Sequence, residues 1–184
     1  MPTYSVVRNL GTLCPEFDLP SVDGRRYRKG DFQGSEFLLV TFLCGHCPYV
    51  KAVEQRIVQL AARYDAKKLQ VVAICSNDPT DYPEDRPEAL LQRWQDKHYG
   101  FPYLIDESQE TARAFDAQCT PEFYLFDKGR NLFYHGRLDD SWKDESKVTR
   151  HELQEAIDGA LRGEPPVQQQ NPSMGCSIKW KSRA

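Results

Sequence analysis

Two predominantly apolar runs of strand length, Phe37–Phe42 and Leu69–Cys75, stand on either side of a single amphipathic stretch. Runs without polar alternation belong to strands buried on both faces. Between them Val50, Val53, Ile57, Leu60, Ala61 and Tyr64 recur at three- and four-residue spacing, which predicts a helix from Pro48 to about Tyr64. Strand, helix and strand make a βαβ unit, with a right-handed crossover and two parallel strands. The fold class is therefore α/β.

The rest of the chain divides around that unit. Residues 1–36 read as an N-terminal extension of the same domain, with a small hairpin turn at Ser21-Val22-Asp23-Gly24. Asn77–Pro87 is polar and proline-rich, a loop. Helices are expected over Ala89–His98 and Glu107–Phe115, a short strand at Tyr103–Ile105, and an antiparallel hairpin from Glu122–Phe126 and Leu132–His135. A last helix carries the pattern of a capping box in Thr149-Arg150-His151-Glu152 and stops at Gly163 and Pro165. Residues 37–163 form the expected domain body, and residues 164–184 a Pro- and Gln-rich linker with a short tail bearing Cys176, Ile178 and Trp180. A chain of 184 residues suits one well-cored domain with a decorated end.

Charge excludes some classes of partner. A formal net charge of −3 gives no electrostatic reason to bind nucleic acid or an anionic membrane. No run approaches the roughly 18 apolar residues of a membrane span. Met1–Ser5 opens with neither a basic stretch nor an apolar segment, so the expectation is a cytoplasmic protein. Six cysteines (14, 44, 47, 75, 119 and 176) contain only one close pair. A domain of this size needs no disulfide framework, and a C-x-x-C beside a βαβ pattern reads as a redox or metal motif.

That pair is Cys44-Gly45-His46-Cys47, followed by Pro48. Proline favours the first helical position, which makes Cys47 the N-cap residue. Its sulfur then lies near unpaired amides and the positive end of the helix dipole, a setting that lowers a thiol pKa. Cys47 is the expected nucleophile and Cys44 its resolving partner. His46 can hydrogen-bond the thiolate or place positive charge beside it.

The order of βαβ, helix, hairpin and helix is that of a thioredoxin-like domain: a central mixed sheet flanked by helices. Three stretches make the likeness specific: Phe42–Lys51, Cys119-Thr120-Pro121 and Pro172–Trp180, with its Gly-Cys-Ser-Ile-Lys-Trp tail. Together they resemble the peroxiredoxin-like, AhpC/TSA-related branch of the thioredoxin superfamily over nearly the whole chain. The resemblance implies a cis Pro121 whose flanking backbone, with Thr120, holds an extended peptide or disulfide partner. One departure is Gly45, where the branch usually has Asn. That change is expected to loosen the loop.

Sites in open α/β sheets gather beyond the carboxyl ends of the parallel strands, which brings Ser76-Asn77-Asp78 towards the thiols. If the strand after Thr120-Pro121 starts at the site, its hairpin partner ends there and returns Gly136-Arg137-Leu138-Asp139 to it. Arg137 could stabilise a thiolate or a peroxide oxygen, or else pair with Asp139 or Asp140 on the surface. Cys119 could join Cys44 and Cys47 in a Cu(I) or Zn(II) site, or lie in the core. Cys176 could be a second resolving thiol, or the tail a structural clasp.

The leading expectation is a thiol–disulfide oxidoreductase with no organic cofactor and no metal. It would act on a disulfide-bearing protein or a small thiol, with electrons drawn from another thiol system. A thiol peroxidase with Cys47 oxidised by peroxide is the alternative, weakened because Cys44 stands where the peroxiredoxin motif has Thr. A non-enzymatic Cu/Zn carrier is the third.

Overall fold

The computed structural model describes residues 2–6 and 8–182. Its elements in chain order are β1 (Thr3–Tyr4), β2 (Asp18–Pro20), β3 (Arg26–Arg28), β4 (Phe37–Phe42), α1 (Pro48–Ala62), β5 (Leu69–Cys75) and α2 (Pro87–Asp96). There follow β6 (Tyr103–Ile105), α3 (Glu110–Phe115), β7 (Cys119–Thr120), β8 (Glu122–Phe126), β9 (Leu132–Gly136), α4 (Glu152–Leu161) and β10 (Met174–Ser177).

Five strands form the central sheet in the order β6-β5-β4-β8-β9. β4 runs parallel to β5 and β5 to β6, whereas β8 is antiparallel to both β4 and β9, so the sheet is mixed. β4 lies at its centre with all six residues buried. Alternation along the strands builds two cores, one on each face. Leu39, Val71, Ala73, Phe123 and Leu125 face α1 and α4, meeting Val50, Val53, Ile57, Leu153 and Ile157. Leu38, Val40, Val72, Ile74, Tyr124 and Phe126 point the other way, onto Ala112 and Phe115 of α3 and onto Phe17, Leu19 and Phe32 of the N-terminal segment. The β2–β3 hairpin forms as its turn residues indicate. Among the described residues no helix is long and apolar enough to cross a membrane.

Three helix starts differ from expectation: α2 begins at Pro87 rather than Ala89, its proline taking the first helical position, and the other two shift for tertiary reasons. Thr149 does not cap α4: its amide (2.9 Å) and its hydroxyl both donate to Asp140, while Glu152 is engaged by Arg137. Both halves of the capping box have other partners, and the helix begins at Glu152 with His151 as its N-cap. α3 begins at Glu110 rather than Glu107, because Asp106 turns inward to accept from the Ala112 amide at 2.9 Å and from the Ser76 hydroxyl at 2.8 Å.

One buried ion pair ties α1 to the loop after β9. Arg56 donates to Asp139 at 2.5 Å and to the Trp142 carbonyl at 2.7 Å, with both charged side chains nearly out of solvent. Removing one member strands the other charge. Asp139→Ala is expected to lose about 3–5 kcal/mol of stability. Replacing both partners by apolar residues, Arg56→Met with Asp139→Leu, should lose much less. Urea unfolding of the two variants checks the contrast.

Candidate active site

β4 delivers the chain to the site. Leu43 still donates to the Ile74 carbonyl at 3.0 Å, after which Cys44–Cys47 turn across the strand end into α1. Cys47 is the N-cap in extended geometry (φ −68°, ψ 124°), with Pro48 opening the helix. Both sulfurs lie in residues that are fully buried, at 0% exposure.

The Cys47 thiol is lowered from 9.0 to about 5. Its largest cause is the neighbouring Cys44 thiol, which donates to it and outweighs the opposing effect of burial. The Cys176 thiol, the Val50 amide and the Cys176 amide add smaller contributions. The helix amides therefore act, but short of a full cap hydrogen bond, and the thiols around Cys47 matter more. Cys44 shifts the other way: burial raises it most, helped by its bond to Cys47 and by the Asp85 carboxylate. One sulfur is thus prepared as thiolate and its neighbour as proton donor.

His46 has a different partner from the expected one. Its Nδ1 lies 2.7 Å from Asp85 Oδ2, and its ring stacks on Tyr82 at 4.0 Å between centroids. Asp85 also accepts from the amides of Gly45 (2.6 Å) and His46 (3.1 Å), and from Asn77 Nδ2 (2.8 Å). Gly45 does not loosen this loop. A Cβ there would collide with the backbone of Glu84, so the glycine lets the Pro83–Asp85 turn close over the motif.

Thr120 meets both thiols from the other side. Its carbonyl oxygen lies 3.2 Å from Cys47 Sγ and its hydroxyl 3.1 Å from Cys44 Sγ. The Thr120–Pro121 bond is cis. Beneath it, fully buried Glu122 accepts from the amides of Gln118 (2.8 Å) and Cys119 (3.0 Å) and from Tyr124 Oη (2.7 Å), and pairs with His135 Nε2 (2.8 Å). This cluster fixes the backbone that carries Thr120.

Cys119 is buried, its sulfur 3.9 Å from the Pro121 carbonyl, and burial raises its pKa. The metal-ligand types that converge among the described residues are Cys44, His46 and Asp85, with ligand atoms within 4.8 Å of one another, and Cys119 is outside that group. Four N–H contacts already occupy the two Asp85 oxygens, which suits a positioning carboxylate better than a ligand. Arg137 is held by Glu152 at 2.5 Å, neither at a thiol nor paired with Asp139 or Asp140. Cys176 does come to the centre: β10 pairs with β7 and sets it opposite Thr120, with its thiol pushed up to about 12 by burial and by Cys47.

Sequence reasoning missed Asp85 and Glu122. Asp85 sits in a loop whose polarity gave no hint of its destination. Glu122 had a readable signal, since an acid heads an otherwise apolar strand and must be buried against donors.

Residues 10–135 match the AhpC/TSA family. The chain belongs to that family. It is also similar to an uncharacterized conserved protein from Geobacillus kaustophilus, at 42% identity over 100% of this chain and 98% of that one (TM-score 0.94). A hypothetical protein from Sinorhizobium meliloti 1021 is 38% identical over 98% of this chain and all of its own (TM-score 0.93). A thioredoxin-family thiol:disulfide interchange protein from Chlorobium tepidum TLS shares the fold, at 17% identity over 84% of this chain and 99% of that one (TM-score 0.65). The fold is thioredoxin-like. No curated protein matches the chain.

Proposed function

We propose that this member of the AhpC/TSA family is a thiol–disulfide oxidoreductase in which Cys47 attacks and Cys44 resolves. The observation that carries the reading is the opposed state of two adjacent thiols: Cys47 lowered to about 5 and Cys44 raised, with the Cys44 thiol donating to Cys47. At neutral pH the first is a thiolate and the second holds a proton, the arrangement that disulfide exchange needs.

The Cys47 thiolate attacks one sulfur of a disulfide, forms a mixed disulfide and expels the other sulfur as thiolate, which takes a proton from water. Cys44 then gives its proton to solvent, attacks Cys47 Sγ and displaces the bound sulfur as a thiolate that is reprotonated from solvent, leaving a Cys44–Cys47 disulfide. Two protein thiols are oxidised and one disulfide is reduced. Another thiol system must restore the pair, and the setting proposed for this chemistry is the cytoplasm. Asp85 holds the loop and orients His46; Thr120 contacts both sulfurs.

Differential alkylation with mass spectrometry across a glutathione redox titration tests this. The expected result is a reversible Cys44–Cys47 disulfide at about −270 to −180 mV. Thiols that remain unpaired across the titration would overturn it. Family membership keeps a peroxidase as the second reading, with Cys47 passing through sulfenic acid. The Arg137–Glu152 pair removes the guanidinium expected to serve a peroxide oxygen. A peroxide pulse that leaves Cys47 without sulfenic acid removes that reading.

A further inference from the structure

The two backbone segments at the sulfurs differ in what they can still bind. α1 is closed on itself, whereas β7 is a two-residue strand whose edge can accept another extended chain. Thr120 is where that edge meets the chemistry, because its carbonyl touches Cys47 and its hydroxyl touches Cys44. An extended segment added to β7 places the residue opposite Thr120 beside the Cys47 sulfur.

That position is already filled. β10 runs antiparallel to β7, with Cys176 opposite Thr120 and Ser177 opposite Cys119. The far edge of β10 is taken by β1, where Gly175 faces Thr3. Gly175 permits the close approach, since a Cβ there would overlap the Thr120 carbonyl group. Beyond the strand, the Ile178 amide donates to the Gln118 carbonyl (3.2 Å) and the Lys179 amide to Asn77 Oδ1 (2.9 Å), while Gln109 Nε2 donates to the Lys179 carbonyl (2.8 Å). Ile178 is itself buried.

We propose that β10 is a tethered occupant of the edge on which a cysteine-bearing polypeptide would pair, so that the docked protein exchanges with low-molecular-weight disulfides in preference to protein chains. The inference rests on the exchange reading above. Cys44 and Cys47 are fully buried, so every substrate needs some opening. A small disulfide needs no backbone pairing with β7, whereas an extended chain pairing there must first displace β10 from Thr120. With glutathione disulfide, the Cys47 thiolate forms a mixed disulfide and releases one glutathione. A second protein thiol then displaces the other, so that one glutathione disulfide gives two glutathiones and one protein disulfide.

The test compares single-turnover oxidation of the reduced full chain by glutathione disulfide and by insulin, for wild type and for Gly175→Val. The wild type is expected to react at least about tenfold faster with glutathione disulfide than with insulin, and Gly175→Val to raise the ratio of the insulin rate to the glutathione disulfide rate about tenfold or more, the ratio cancelling any change in Cys47 ionisation when Cys176 moves away. Hydrogen exchange verifies the variant: the Cys176 and Ser177 amides should exchange quickly while β4 and β5 stay protected. If β4 and β5 lose protection as well, Lys179→Pro, which deletes the amide held by Asn77, supplies the comparison. An unchanged ratio of insulin to glutathione disulfide rates in a variant with β10 lifted would overturn the proposal and leave the exchange reading intact. Failure of glutathione disulfide to react at Cys47 in either protein would remove the exchange reading, and this inference with it.

Discussion

Cys47→Ser is expected to abolish disulfide exchange, by about a thousandfold or more, because a hydroxyl stays protonated where the thiol is ionised. Cys44→Ser should behave differently, completing the first exchange and accumulating the mixed disulfide on Cys47. The ionisation behind this contrast has its own signature. Alkylation of Cys47 should follow a titration with its midpoint near the pKa of about 5, while Cys44 stays protonated well beyond neutrality. Stability of the reduced protein should carry the same signature. Between pH 5 and 9 the native sulfur is ionised and the unfolded one holds a proton, so the unfolded state binds more protons and stability rises with pH. The gain approaches about tenfold in the folding equilibrium per pH unit, is complete above pH 9, and is lost as pH falls through 5. Cys44 and Cys176, both raised, oppose it only above pH 9. Thermal melts of reduced wild type and Cys47→Ser across that window check the slope, and identical slopes would contradict the thiolate.

The parts of this centre that could be read from sequence are those governed by local pattern. β4, β5, β6 and β8 fall on the expected residues, because strands buried on both faces leave a nearly continuous apolar run and the hairpin's turn residues punctuate it. Pro48 fixed the N-cap assignment of Cys47 for an equally local reason. What could not be read depends on partners far along the chain. Thr149 has the chemistry of a cap, yet Asp140 takes it. The lowering of Cys47 is led by Cys44 and assisted by Cys176, and the second of these requires a four-residue strand to travel back from beyond the last helix. A strand that short, with glycine inside it, has no periodicity to announce it.

Asp85→Ala should be as damaging as the loss of the buried Asp139, and it strikes at the site itself. Asp85 is 3% exposed, and it accepts from two amides of the motif, from His46 Nδ1 and from Asn77. Asp85→Ala leaves those donors without an acceptor in a space closed to water, and about 3–5 kcal/mol of stability should be lost. Urea denaturation measures that directly. Asp85→Asn separates shape from charge, since it keeps an acceptor oxygen for the Gly45 and His46 amides while removing the carboxylate that helps raise Cys44. Its stability loss should be smaller than that of Asp85→Ala. Its resolving step should be faster at a given pH, because Cys44 ionises more readily without the neighbouring negative charge. Quenched-flow release of glutathione from the Cys47 mixed disulfide distinguishes the roles. A rate unchanged in Asp85→Asn would mean that Asp85 only braces the loop, and a faster one that its charge sets how long Cys44 keeps its proton.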